Sequence, residues 1–135
     1  MFIADSKVSD PNAEADPVAI GFHFPSWYMF GLPERSASLM LNSTVNTEPY
    51  YMFNTDRFPH FYQTNVSLYG SLPYLTSHEL NMDSSVMWMN SAPTWVDVLA
   101  LTNDIDNEAT VGTFNSMGGA IEFFTFASVI SPKRV

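Results

Sequence analysis

Residues 18 to 24 read VAIGFHF, with apolar side chains at every second position. Val18, Ile20, Phe22 and Phe24 share one face while Ala19, Gly21 and His23 share the other, which is the pattern of a strand buried on one side. Short runs of similar kind recur over Tyr28–Leu32, Ser38–Leu41, Tyr50–Phe53, Leu72–Ser77, Ser85–Asn90, Trp95–Leu101 and Ala120–Val129. Clusters of Pro, Gly, Asn and Ser separate them at spacings of roughly ten residues. No stretch carries a sustained, capped apolar stripe of helical period. The expectation is an all-β fold with little helix. Ser85-Val86-Met87-Trp88-Met89 is apolar on both faces and predicts a central strand covered on two sides, with Met87 and Trp88 deep in the core. Gly118-Gly119 predicts a tight turn before the last strand.

A chain of 135 residues that is 46% apolar suits one domain with an ordinary core. Charged residues make up only 14% and aromatics 15%, a balance suited to surfaces covered by the chain itself or by a neighbouring domain. The formal charge of −9 opposes nucleic acid and anionic membrane surfaces, because no basic stripe exists to meet phosphate. No apolar run approaches the roughly 18 residues of a spanning helix. With no cysteine, disulfides and thiolate metal sites are excluded. The opening MFIADSKVSDPNAEAD lacks the basic start and apolar run of a signal peptide, so the chain reads as cytosolic or as an internal piece of something longer. Asn42-Ser43-Thr44 and Asn65-Val66-Ser67 are sequons, glycan acceptors only in a secretory compartment.

Most chemistry-bearing patterns are missing. His23, His60 and His78 have no metal-ligand spacing, and Asp104, Asp106 and Glu108 start like a calcium loop without its glycine or its final glutamate. Neither G-x-S-x-G nor a phosphate-binding loop is present, so no catalytic residue, metal or cofactor is expected. Pro33-Glu34-Arg35 reads as a solvated corner, and Asn90-Ser91 with Trp95-Val96-Asp97 as a turn around Pro93 beside a core Trp. FNTDRFPHFY, residues 53–62, is different: Asp56 and Arg57 stand among Tyr50, Tyr51, Phe53, Phe58, Phe61 and Tyr62. An ionised carboxylate there pairs locally or faces solvent or a ligand, since unpaired burial is costly. One reading is a turn lock; the other is a polar tip beside aromatic platforms, suited to carbohydrate.

Three stretches in order, GLPERSASL, EPYYMFNTDRF with LYGSLPYLTSH, and VMWMNSAPTWVDV, resemble the N-terminal β-domain of glycoside hydrolase family 31 over roughly residues 18 to 130. The resemblance implies an antiparallel β-sandwich of galactose-mutarotase-like type over 18–130, begun upstream of Met1 and so incomplete on its N-terminal side. Residues 1–17 would be an acidic linker or loop, and 131–135 the start of a linker toward a (β/α)₈ catalytic barrel. It further implies a retaining α-glucosidase that removes terminal glucose from N-linked glycans in the endoplasmic-reticulum lumen, with a glucosidase β-subunit as partner. The family's substrate-contacting loop aspartate falls on Asp56; its catalytic aspartates belong to the barrel, whose W-x-D-M-N-E motif this chain lacks. Two rivals stand beside this. One is a stand-alone carbohydrate-binding module without turnover. The other is an aldose epimerase whose proton transfer uses a His, either His60 or His78, and a Glu such as Glu79.

Overall fold

The computed structural model describes residues 16–56, 65–102 and 108–129. Eight strands follow one another: β1 (Val18–Phe24), β2 (Met29–Gly31), β3 (Tyr50–Met52), β4 (Tyr74–Glu79), β5 (Met82–Trp88), β6 (Thr94–Thr102), β7 (Glu108–Ser116) and β8 (Phe123–Val129). They form two four-stranded sheets, β1-β7-β6-β3 and β2-β4-β5-β8, in which every pairing is antiparallel. Among the described residues there is no helix.

The alternation of VAIGFHF does what its period dictates. Ile20 and Phe24 are buried, Phe22 packs against the core, and Ala19, Gly21 and His23 are exposed. Opposite them Leu75, Val86 and Trp88 of the second sheet are at most 4% exposed. The sheets meet where Trp88 stacks on Phe114 at 6.1 Å between ring centroids. The indole is not left with an unmet donor: Trp88 Nε1 donates to Ser116 Oγ at 2.9 Å, and that hydroxyl shares a 2.7 Å bond with Thr94 Oγ1. A buried N–H with a partner avoids a desolvation cost of about 1–3 kcal/mol.

The structure departs from the sequence pattern along several strands and at one turn. Strand β7 is not among the runs legible by alternation, yet it lies between β1 and β6. Its inward positions are Thr110, Gly112, Phe114 and Ser116, and its outward ones include Thr113 and Asn115, so neither face is consistently apolar. Ser38–Leu41 keeps one isolated bridge, Phe30 to Met40, with Leu39 87% exposed, and is not a strand. Met87 faces outward and is only half-buried, because its neighbours Val86 and Trp88 occupy and flank the inner face. Trp95 is likewise on the outer face of β6, edge-on to Tyr51 at 5.9 Å, and Val96 fills the core position. The expected turn at Gly118-Gly119 is a bend with φ +93° at Gly119, held by Asn90 Nδ2, which donates to the carbonyls of Gly118 and Ala120.

Strand β8 ends one sheet with Phe124 and Phe126 about half exposed (49% and 52%). An apolar edge strand without a charged residue or proline is one that natural folds normally cover.

Gly112 of β7 faces Leu75 of the opposite sheet with no room for a side chain. A Cβ there would lie 2.4 Å from Leu75 Cδ2 and 3.1 Å from the Phe24 ring, both in buried side chains. A Cβ on Gly21 of β1 would make ordinary contacts at 3.7–3.8 Å. In urea denaturation Gly112→Ala is therefore expected to cost about 1–3 kcal/mol by overpacking, and Gly21→Ala to cost nothing measurable. Equal midpoints for the two variants would contradict this packing.

Candidate functional site

The corner after β2 begins with a backbone that few residues adopt. Gly31 has φ +119°, and a Cβ there would sit 2.2 Å from the Tyr74 carbonyl oxygen, so only glycine fits. Leu32 follows at φ 49°, a left-handed conformation that costs a branched side chain on the order of 1–3 kcal/mol. Complete burial offsets that cost, as do its amide bond to Tyr74 O at 2.7 Å and its carbonyl, which accepts Arg35 Nε at 2.6 Å.

Arg35 is consequently not part of a solvated corner. Besides Leu32 O, its guanidinium donates to Asn65 O at 2.9 Å and to Met52 Sδ at 3.2 Å, and it lies 4.8 Å over the Tyr50 ring. Burial pulls its pKa down to about 10, against the nearby Tyr50 hydroxyl, so it stays a cation at neutral pH. The same burial pushes the Tyr50 phenol up, and its hydroxyl is clamped between the amide and the carbonyl of Asn42.

Residues 65–72 run as a strap between this corner and the end of β3. On one side Glu34 N donates to Gly70 O, Leu68 N to Glu34 O and Leu72 N to Pro33 O, at 2.8–2.9 Å. Glu34 Oε2 also accepts the Gly70 amide at 3.2 Å. On the other side Tyr51 N donates to Asn65 O and Thr55 N to Leu68 O, and Thr55 Oγ1 donates to Ser67 O at 2.6 Å. Ser67 Oγ, fully buried, donates to Tyr51 O. Asp56 leaves the end of this ladder with its side chain exposed.

The tip joins three groups that sequence separates. The phenol of Tyr69, 56% exposed, is held above the usual tyrosine range, first by hydrogen bonding to Asp56, then by the negative charge of Asp56, by desolvation and by the charge of Glu34. Asp56 was legible as a polar tip. Tyr69 and Glu34 were not, because only the strap brings LYGS beside the loop; the Tyr within that motif was the available signal. A carboxylate offers about four acceptor positions, so the tyrosine leaves room for ligand hydroxyls. Beside the tip, Tyr51, Phe53, Val66, Trp95 and Met117 line an apolar groove of about 530 Å³, and Asn54, Ser71, Asn90 and Ser91 belong to a more polar one of about 310 Å³. Asp56 lines neither.

Other sequence-selected residues are not gathered there. Arg57, Phe58, His60, Phe61 and Tyr62 of the loop, and Asp104 and Asp106, lie outside the described residues. His23 is on β1 and His78 on β4, in different sheets. His78 Nδ1 pairs with Asp83 across β4 and β5, and Glu79, its strand neighbour, points to the opposite face, so the two cannot converge on one sugar carbon.

A raised Tyr69 pKa means that the contact with Asp56 stabilises the fold below the ordinary tyrosine range and is lost as pH rises through the elevated value. Asp56→Asn should bring the Tyr69 titration, followed by ring-carbon NMR, back toward the ordinary value near about 10. An unmoved titration would show that the two are not in contact.

Comparison with known proteins points one way. The chain is 36% identical over 100 residues to neutral alpha-glucosidase AB of Mus musculus, covering 73% of this chain and 10% of that protein. It is 32% identical over 136 residues to glucosidase 2 subunit alpha of Schizosaccharomyces pombe, covering 96% and 14%. The crystal structure of a glucosidase II alpha subunit in its Glc1Man2-bound form superposes with a TM-score of 0.77 at 26% identity, over 85% of this chain and 14% of that one. The chain thus spans between 10% and 15% of the length of the curated relatives it matches. Residues 3–97 match the glycosyl hydrolase 31 N-terminal galactose mutarotase-like domain, and with this sandwich the chain belongs to that family.

Proposed function

We propose that this chain is the non-catalytic N-terminal β-domain of a retaining α-glucosidase that hydrolyses terminal glucose from N-linked glycans in the lumen of the endoplasmic reticulum. Its part is to present Asp56 to the sugar held by a catalytic barrel of the same polypeptide, while the barrel supplies both carboxylates of the retaining mechanism. The observation that carries this is Asp56, exposed at the end of a hydrogen-bonded ladder and beside Tyr69. A rigid base and an exposed acceptor suit a sugar hydroxyl that must be met at fixed position, since positioning is worth most where the supporting groups cannot relax. The apolar edge at β8 and the groove beside Phe53 and Trp95 agree with a domain meant to be covered by neighbours. A glucosidase β-subunit belongs to the same reading as partner of the assembled enzyme.

A stand-alone carbohydrate-binding module is the second reading, favoured by the aromatic groove close to Asp56. Its aromatics could stack on pyranose C–H faces without any barrel.

In the polypeptide that carries this domain with its barrel, Asp56→Ala should lower kcat/KM for a glucosylated oligomannose about 10- to 100-fold. That is the loss expected for one charge-assisted hydrogen bond of about 1.5–3 kcal/mol. The isolated chain should release no glucose. Unchanged kcat/KM in the variant would remove Asp56 from the substrate site.

A further inference from the structure

Of the two sequons, the fold accounts for one asparagine and leaves the other without a structural task. Asn65 is half-buried, its carbonyl accepts from both Tyr51 N and Arg35 Nη1, and its side-chain amide donates to Glu48 O. Its side-chain nitrogen, the atom a glycan would occupy, is thus engaged in holding the strap. Asn42 presents the reverse case. Its backbone is fixed, because the Tyr50 hydroxyl accepts from its amide at 2.8 Å and donates to its carbonyl at 3.0 Å. Its side chain is exposed and has no hydrogen-bond partner among the described residues. Two residues on, Thr44 completes the sequon, and its buried hydroxyl donates to Asp97 Oδ1 at 3.0 Å and accepts the Val98 amide at 3.0 Å.

We infer that Asn42 is an N-glycan acceptor, with the oligosaccharide projecting from a rigid platform on the side of β3 away from Asp56. The placement follows from the register: Thr44 bonds Val98, Tyr50 pairs with Val96 and Met52 with Thr94, so the chain passes from Asn42 to Asp56 along the whole of β3. A glycan on Asn42 therefore leaves the Tyr69–Asp56 tip open. The co-reactant is a lipid-pyrophosphate-linked oligosaccharide. A bond forms between Asn42 Nδ2 and the anomeric carbon of its reducing-end sugar, the bond from that carbon to pyrophosphate breaks, the lipid pyrophosphate departs with the electron pair, and Nδ2 loses one proton. The transfer precedes folding, so burial of Thr44 in the finished sandwich does not oppose it; the fold then selects between products, because exposed Asn42 tolerates a glycan whereas one on Asn65 Nδ2 would break its bond to Glu48 O and keep the strap from closing. The inference rests on the lumenal part of the proposed function.

The test is to express the full 135-residue chain behind a cleavable secretory leader in a eukaryotic host, beside Asn42→Gln and Asn65→Gln. Intact mass is read before and after peptide-N-glycosidase. The expected result is one glycan on the wild type, lost completely in Asn42→Gln and kept in Asn65→Gln, with the Asn-to-Asp signature of enzymatic release at position 42. A chain whose leader has been removed but whose mass is that of bare polypeptide overturns the inference, as does a glycan that survives Asn42→Gln. Either failure leaves the glucosidase reading standing, because that reading is judged by the Asp56 kinetics and does not depend on occupancy of Asn42.

Discussion

A guanidinium drawn out of water has to recover its hydration from fixed acceptors, and Arg35 does so without a carboxylate among the described residues. Leu32 O, Asn65 O and Met52 Sδ accept from it, and the Tyr50 ring closes one face. Those acceptors come from β2's end, from the strap and from β3. One side chain thereby ties together three segments that carry the candidate site. Lysine could not replace it, because a single ammonium cannot reach three acceptors spread over the plane of the guanidinium. The strain at Leu32 and the obligatory glycine at Gly31 make sense beside this arrangement. They turn the chain sharply enough for Leu32 O to meet Nε.

The consequence for Asp56 is mechanical. Leu68 donates to Glu34 O and accepts from Thr55 N, so the corner, the strap and the loop base form one ladder. Beneath it the two sheets are joined by Trp88 on Phe114, with Ser116 and Thr94 satisfying the indole. Asn90, two residues beyond Trp88, then pins the bend at Gly119. The stretches VMWMN and GLPERS are thus structural: one closes the core, the other carries the strap. The proposed sugar contact lies instead at the exposed end, where Asp56 stands beside Tyr69.

How much of this was legible in the sequence depended on whether a residue's partner was local. VAIGFHF announced its strand because burial there follows from alternation alone. Strand β7 did not, since Ser116 faces the core to accept the Trp88 indole N–H, Thr110 puts a second polar side chain there, and Gly112 is there to admit Leu75 and Phe24. Arg35 looked like part of a solvated corner because adjacent opposite charges at a strand end suggest exposure; of its three acceptors, Asn65 O lies 30 residues away and Met52 Sδ 17. Trp95 looked like core by its size, but period two in β6 gives the inner position to Val96. Asp56 could be marked as a polar tip, and the family resemblance gave that tip a meaning that residue chemistry alone left open. Tyr69 stayed invisible because its contact exists only once the strap is in place.

A domain that supplies one acceptor to a site completed elsewhere should hold that acceptor rigidly yet bind sugar hardly at all when isolated, since one hydrogen bond does not repay the entropy of association. Isothermal titration of glucose, maltose and a glucosidase-type iminosugar into the wild-type chain, with Asp56→Ala as reference, separates this from autonomous binding. No heat above dilution from either protein is the predicted result. Saturable binding to the wild type that disappears in Asp56→Ala would contradict a shared site and make the sandwich a sugar-binding module in its own right.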